Sequence, residues 1–392
     1  LRRFFIGLPL NPGAQTADAR SMPTGIGAGC RQVPTLRAFP AVEGVAMSSL
    51  RVHALRAGAM VMGVVTAIAA GAADVAPAAT GQDRVWLLGT PPEPADNLGT
   101  PERVALGKAL FFDPRLSGNG TLSCATCHNP ALGWSDGLRT GVGINGTVLG
   151  RATPTVINTA YNTQFMWDGR KKSLEDQALG PMKTPEEMKT DFGAALKMLN
   201  ATPGYRDMFA KAYPGEAINE ETVAKAIAAF ERTVVSRDSR FDRWVEGDRS
   251  AITAQEWRGY QLFKDPAKGN CAVCHSGPNF TDNGYHNIGI AHAPGAEDAG
   301  RFAIRKLPVL KGAFKTPTLR DVELTAPYFH NGTATTLAEV VDHYARGGDD
   351  RSNLSKDVRK LDLSERDKAD LVAFMKALTG PTRSASIPAL PQ

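Results

Sequence analysis

The spacing C-x-x-C-H occurs twice, as Cys124, Cys127 and His128 in "LSCATCHNP" and as Cys271, Cys274 and His275 in "NCAVCHSG". No other feature constrains the fold as strongly. On a helical turn, positions i, i+3 and i+4 share a face, so two thiols can reach the two vinyl groups of one porphyrin while the imidazole points at its iron. Each motif is therefore read as a covalent attachment site for a c-type haem. The chain must wrap twice around a flat, largely apolar cofactor.

Other uses of these cysteines fit less well. A zinc site would need the two C-x-x-C pairs to meet, yet 143 residues lie between Cys127 and Cys271, against about 15–20 in zinc ribbons. The remaining cysteine, Cys30, precedes a segment from Met47 that carries Arg51 and Arg56 and then runs small and apolar from Ala57 to Ala73. That pattern is a secretory signal over 47–73, with 1–46 as an upstream extension of the reading frame. Removing 1–73 takes away seven Lys/Arg and two Asp/Glu and leaves 38 of each. The basic balance thus belongs to the leader, and no nucleic-acid partner is implied. Export to the periplasm agrees with haem attachment, which is carried out beyond the cytoplasm.

Helical periods dominate the rest of the chain. Val104, Leu106, Leu110 and Phe111 fall near one face of 102–113; Val223, Ile227, Phe230 and Val234 do so in 221–235. A Ser364-x-x-Asp367 start and a Gly380-Pro381 stop bracket a further helix. Another, 251–263, leads by a short loop into the second haem motif, as 102–113 does into the first. This duplicated plan predicts an all-α fold of two cytochrome c-like domains, 84–240 and 241–385, each enclosing one haem.

The axial positions opposite His128 and His275 decide what such a protein can do. No histidine occurs between them. Met166, Met182, Met188, Met198 and Met208 are read as apolar packing, which leaves the first iron five-coordinate and open to a small ligand such as peroxide. For the second iron the residues offer His286, His292, His330, His343 and Tyr344, and periodicity does not choose among them.

From about Leu106 to Thr379 the sequence resembles the bacterial di-haem cytochrome c peroxidase and MauG superfamily. The resemblance rests on both haem motifs, "TPTVINTAYNTQFMWDGRKKSLEDQALGPMKTPEEM", "GYHNIG" and "GRFAIRKLPVLKGAFKTPTLRDVELTAPYFHNGT". It implies that Trp167 relays electrons between the haems, and that Gln177, Pro181 and Glu187 line the distal side of the first haem. A carboxylate there suits peroxide cleavage, which needs a group to take a proton from the attacking oxygen and return it to the leaving one. His330 and Arg320 are expected to meet haem propionates.

The peroxidase branch places a methionine fourteen residues after the histidine of its "APYxHxG" motif; here that position is Tyr344, the pattern of the MauG branch. A phenolate oxygen stabilises higher iron oxidation states than a thioether does. The loop that carries a blocking histidine in the peroxidase branch, "ALGWSDGLRTGVGINGTVLGRA", has none. Both departures imply reaction with peroxide without prior reduction. Calcium binding is a family trait, but the asparagine expected among its ligands is Ala152 here, although Thr325 and Pro327 remain. The surface tryptophan of the MauG branch is replaced by Gly269, so maturation of a methylamine dehydrogenase precursor is not implied. The resemblance predicts a peroxidase supplied by a small periplasmic cytochrome c or cupredoxin. Alternatively, a MauG-like enzyme would oxidise residues of a partner protein, and a carrier would have no turnover. A dimer is compatible by analogy with the peroxidase branch.

Overall fold

In the computed structural model the described residues are 75–292, 295, 297–381 and 385–392; the expected extension 1–46 and signal 47–73 lie outside them. Ten helices carry the fold among the described residues: α1 Pro101–Phe112, α2 Cys124–Cys127, α3 Leu174–Lys183, α4 Phe192–Ala201, α5 Pro203–Ala212, α6 Glu220–Glu231, α7 Arg240–Val245, α8 Ala254–Lys264, α9 Leu337–Arg346 and α10 Glu365–Ala377. Strand is confined to a minimal antiparallel pair, β1 Tyr285–His286 and β2 Phe314–Lys315, with Tyr285 opposite Lys315, and to isolated bridges. The helix-rich expectation holds. No described helix is long and apolar enough to cross a membrane.

Helix ends follow local chemistry. The Thr100 hydroxyl accepts from the Arg103 amide, with Pro101 in the first turn of α1. The helix expected over 251–263 begins only at Ala254, because Thr253 and Glu256 form a reciprocal capping box. The one expected over 221–235 stops at Glu231, and Val234 still reaches the core from the next turn.

The apolar side chains gather into two cores. One joins Leu106, Leu110 and Phe111 of α1 to Ile227 and Phe230 of α6, with Leu199, Tyr205 and Trp134 around them. The other joins Phe241, Trp244, Tyr260, Phe263, Phe280 and Phe374. Trp86, from the segment expected to open the first domain, belongs to this second core and stacks on Phe280 at 4.8 Å. Each fully buried Leu or Phe contributes about 1.5–3 kcal/mol.

The same packing device appears in both cores. A β-carbon on Gly107 of α1 would lie 1.8 Å from the carbonyl oxygen of Ala226 on α6, and one on Gly259 of α8 would lie 1.9 Å from that of Asp370 on α10. Only glycine lets these helix pairs approach so closely. In each pair one helix, α1 or α8, leads on into a C-x-x-C-H motif.

Candidate active site

The first motif forms α2, started by a capping box between Ser123 and Thr126. His128 stands at its C-terminal end, with Nδ1 set 3.3 Å from the Trp134 carbonyl. That contact fixes the ring and leaves Nε2 for a metal. Burial lowers the pKa of His128, favouring the neutral imidazole that an iron needs. Cys124 and Cys127 are free thiols; burial pushes both up, Cys127 to about 11. Neutral, unpaired thiols beside a cavity fit thioether formation with a haem.

Gln177 and Pro181 stand one turn apart on α3 and face the same chamber as His128, while Ala178 and Met182 of that helix enter the first core. Pro181 has no amide to give the Gln177 carbonyl; its own carbonyl accepts from the Met188 amide at 3.1 Å. Glu187 sits on the turn between them, its backbone held by Thr184 and Ile144. Its side chain enters the chamber without a hydrogen-bond partner among the described residues, and burial raises its pKa. Gln177, Pro181 and Glu187 are thus brought together. Of the five methionines read as packing, Met182 and Met188 are buried in the first core and Met198 and Met208 pack against it. Met166 and Met188 also line the chamber.

The second motif forms a single 3-10 turn, Cys271–Val273, entered through Asn270 at φ 53°. His275 Nδ1 lies 3.0 Å from the Phe280 carbonyl, and burial lowers its pKa to about 4. Leu337, Val340, Val341 and Tyr344 form one face of α9 and line the chamber with His275. The Tyr344 hydroxyl has no hydrogen bond among the described residues, and burial pushes its pKa up, so as a free phenol it stays neutral.

The alternative ligands are largely committed elsewhere. His343 engages Asp349 through Nδ1 and the Ile288 carbonyl through Nε2, and His286 engages Asp282 at 2.8 Å. His330 is 3% exposed and stacks on Phe314 at 3.6 Å; its Nε2 is buried without a partner and it lines the second chamber. An orphaned ring nitrogen there fits a polar group of a bound haem.

Trp167 is common to the His128 and His275 chambers. Its Nε1 donates to the Ala152 carbonyl at 2.8 Å, and its ring meets His330 edge-on at 6.4 Å. Trp167, the residue expected as a relay, thus borders both chambers. Trp257 packs against the second core and takes no part in either chamber.

Arg320 corrects an expectation. It is 1% exposed and bonds both oxygens of Asp242, at 2.8 and 2.9 Å, and the carbonyls of Pro278 and Trp86. A guanidinium so engaged in an interior ion pair lines neither chamber. Thr325 and Pro327 line the first chamber with His128 and Ala152, but Ala152 has no side-chain oxygen and its carbonyl is taken by Trp167. Such a set does not fit the six to eight oxygens of a calcium site.

Two residues in the chamber walls escaped the sequence reading. Glu231 ends α6 inside the first chamber, and Lys315 lies between both, its ammonium bonded to the Thr316 carbonyl and lowered by burial to about 8. The available signal for Glu231 was a carboxylate at the end of the apolar run "AIAAF".

Known proteins resemble this chain over about three quarters of its length. Residues 101–250 match the family model of di-haem cytochrome c peroxidase. A methylamine utilization protein MauG of Methylorubrum extorquens is 47% identical over 76% of this chain and 84% of its own. A cytochrome c551 peroxidase of Nitrosomonas europaea is 38% identical over 74% and 85%. Among solved structures, a MauG-like protein associated with microbial copper homeostasis superposes with a TM-score of 0.70 at 33% identity, covering 75% of this chain and 93% of its own.

Proposed function

Because the chain belongs to the di-haem cytochrome c peroxidase family, which includes MauG, and is an oxidoreductase of that type, we propose that it is a periplasmic enzyme reducing hydrogen peroxide in the His128 chamber with electrons relayed from the Tyr344 chamber. Two covalent c-type haems would be held by Cys124, Cys127 and His128 and by Cys271, Cys274, His275 and Tyr344. The observation that carries this reading is the make-up of the first chamber. Among its described lining residues His128 is the sole imidazole, while Gln177 and Glu187 face the same space with no side-chain hydrogen bond.

When bound, the haem iron supplies the redox chemistry and the position at which peroxide is held. The chain supplies the rest. Glu187 takes the proton from one peroxide oxygen and returns it to the other, and the raised pKa of a buried carboxyl suits both halves of that transfer. Gln177 donates to an oxygen of the bound peroxide, and Pro181 holds the turn of α3 that aims it. Trp167 provides the path between chambers. A small cytochrome c or a cupredoxin returns the electrons. A second reading is MauG-like oxidation of residues in a partner protein; it is favoured by Tyr344, which stands where the peroxidase branch has a thioether.

The test is the absorption and EPR spectrum of the oxidised protein before and after one equivalent of hydrogen peroxide, beside Glu187→Gln and Tyr344→Met. One high-spin haem that reacts at once, with the response reaching the second haem except in Tyr344→Met, supports the open first site and the tyrosine ligand. Two low-spin haems, inert until one is reduced, would overturn both. Turnover with reduced cytochrome c then separates the readings, being fast for a peroxidase and slow for a MauG-like enzyme.

A further inference from the structure

Glu231 is an unusual residue to find at the end of an apolar helix. It is 5% exposed, its Oε2 is buried without a hydrogen-bond partner, and with Ile227 one turn earlier it faces the chamber that contains His128 and Gln177. The cation beside it in sequence, Arg232, is directed to Glu175 on α3 at 2.8 Å. A second orphaned acceptor, Oδ1 of Asn162, is buried in the wall of the same chamber. An unpaired buried carboxylate costs several kcal/mol, so such a group is kept neutral or is given a partner by what occupies the cavity.

The groups that act on it electrostatically are few. Arg232 is next to it on α6, Glu175 faces it from α3, and Cys124 of α2 is a thiol that haem attachment would convert to an uncharged thioether. Burial outweighs the Arg232 charge and raises the carboxyl to about 8. Burial thus favours the protonated form of Glu231 inside the chamber.

Peroxide reduction needs such a proton. The transfer through Glu187 only moves a proton from one oxygen to the other and leaves none added. The complete reaction, H2O2 + 2 e− + 2 H+ → 2 H2O, takes two electrons from the one-electron donor protein and two protons from outside the peroxide. We propose that Glu231 is a proton-supplying residue of the first chamber, which passes its proton through a chamber water to the oxygen that stays behind after cleavage, as the electrons return, and is reprotonated from solvent. This rests on the peroxidase reading, and it assigns the two carboxyls different duties: Glu187 for cleavage, Glu231 for the electron-return steps.

The test uses the haem-loaded protein. Infrared spectra of the resting enzyme should contain a neutral carboxylic acid band, shifted in D2O, that disappears above pH 8 and is missing in Glu231→Gln but kept in Glu187→Gln. In stopped flow, Glu231→Gln should react with peroxide at the wild-type rate, yet return to rest with reduced cytochrome c about tenfold more slowly, a change of about 1.4 kcal/mol. Its rate should no longer fall as pH rises past 8, and Glu231→Asp should restore part of it. An unchanged infrared band, or an unchanged return rate and pH profile in Glu231→Gln, would overturn the proposal. If Glu231→Gln fails to take up haem, the pH-dependent band in the wild type and Glu231→Asp decides instead. Wild-type protein inert to peroxide would defeat the peroxidase reading, and the resting band would still report whether Glu231 holds a proton.

Discussion

The indole of Trp167 donates to the carbonyl of Ala152 at 2.8 Å, and the Ala152 amide donates in turn to the carbonyl of His330 at 2.7 Å. One residue of backbone therefore ties the ring between the chambers to the wall of the second. A backbone acceptor needs no particular side chain at position 152. The ring cannot turn without losing a hydrogen bond worth about 1 kcal/mol.

Trp167→Phe removes that bond and the larger ring. The peroxide reaction in the first chamber should survive, while the spectral response of the second haem slows by roughly tenfold or more, a barrier change of about 1.4 kcal/mol. Stopped-flow spectra resolved at both haems check this. Equal rates in the variant and wild type would remove Trp167 from the path.

Tyr344→Met should raise the reduction potential of the second haem, because a thioether stabilises the reduced iron and a phenolate the oxidised one. The free phenol is held neutral by burial, so its ionisation depends on the iron. Tyr344→Phe should consequently give a five-coordinate second haem, and spectroelectrochemical titration of each haem reports both outcomes.

Glu187 acts as a base from its carboxylate form, and burial raises its pKa above the ordinary 4.5. The rate of the peroxide step should therefore rise with pH through that raised value. Glu187→Gln should slow the step by about a hundred- to ten-thousandfold and flatten the profile. For folding the sign is opposite. A carboxyl that binds its proton more tightly when folded contributes stability below pH 4.5, and this is lost as pH rises through the folded pKa. Relative to wild type, the melting temperature of Glu187→Gln should accordingly improve as pH increases.

Arg320 and His330 separate stability from haem chemistry. Arg320→Met leaves Asp242 charged and unpaired in the interior, at a cost of about 3–5 kcal/mol, with little change in the haem spectra of the folded fraction. His330→Leu removes an imidazole whose Nε2 has no partner among the described residues, so it should alter the second haem's potential and cost far less stability. Denaturant melts paired with redox titrations distinguish the two.

These contrasts mark how far the sequence could be read. The haem motifs, the helices around Gly107 and Gly259, and the placement of Gln177, Pro181 and Glu187 by one turn of α3 and the loop after it were legible. For the motifs and helices the information is local, carried by 3.6-residue periodicity, caps and motif spacing, whereas Gln177, Pro181 and Glu187 were implied by the family resemblance. His343 and Tyr344 are adjacent in sequence and both could have been ligands; only the packed structure shows the first bonded to Asp349 and Ile288 and the second facing His275.

Two C-x-x-C-H motifs, a helical framework and the lack of any histidine between His128 and His275 are written in the chain itself. Packing decided that Trp167 borders both chambers, that Arg320 faces Asp242 rather than a cofactor, and that Glu231 ends its helix inside a cavity. Thioether spacing is set within five residues of chain. Whether a charged side chain meets water, a counter-ion or an enclosed chamber depends on segments far apart in sequence, and on the desolvation imposed when they close around it.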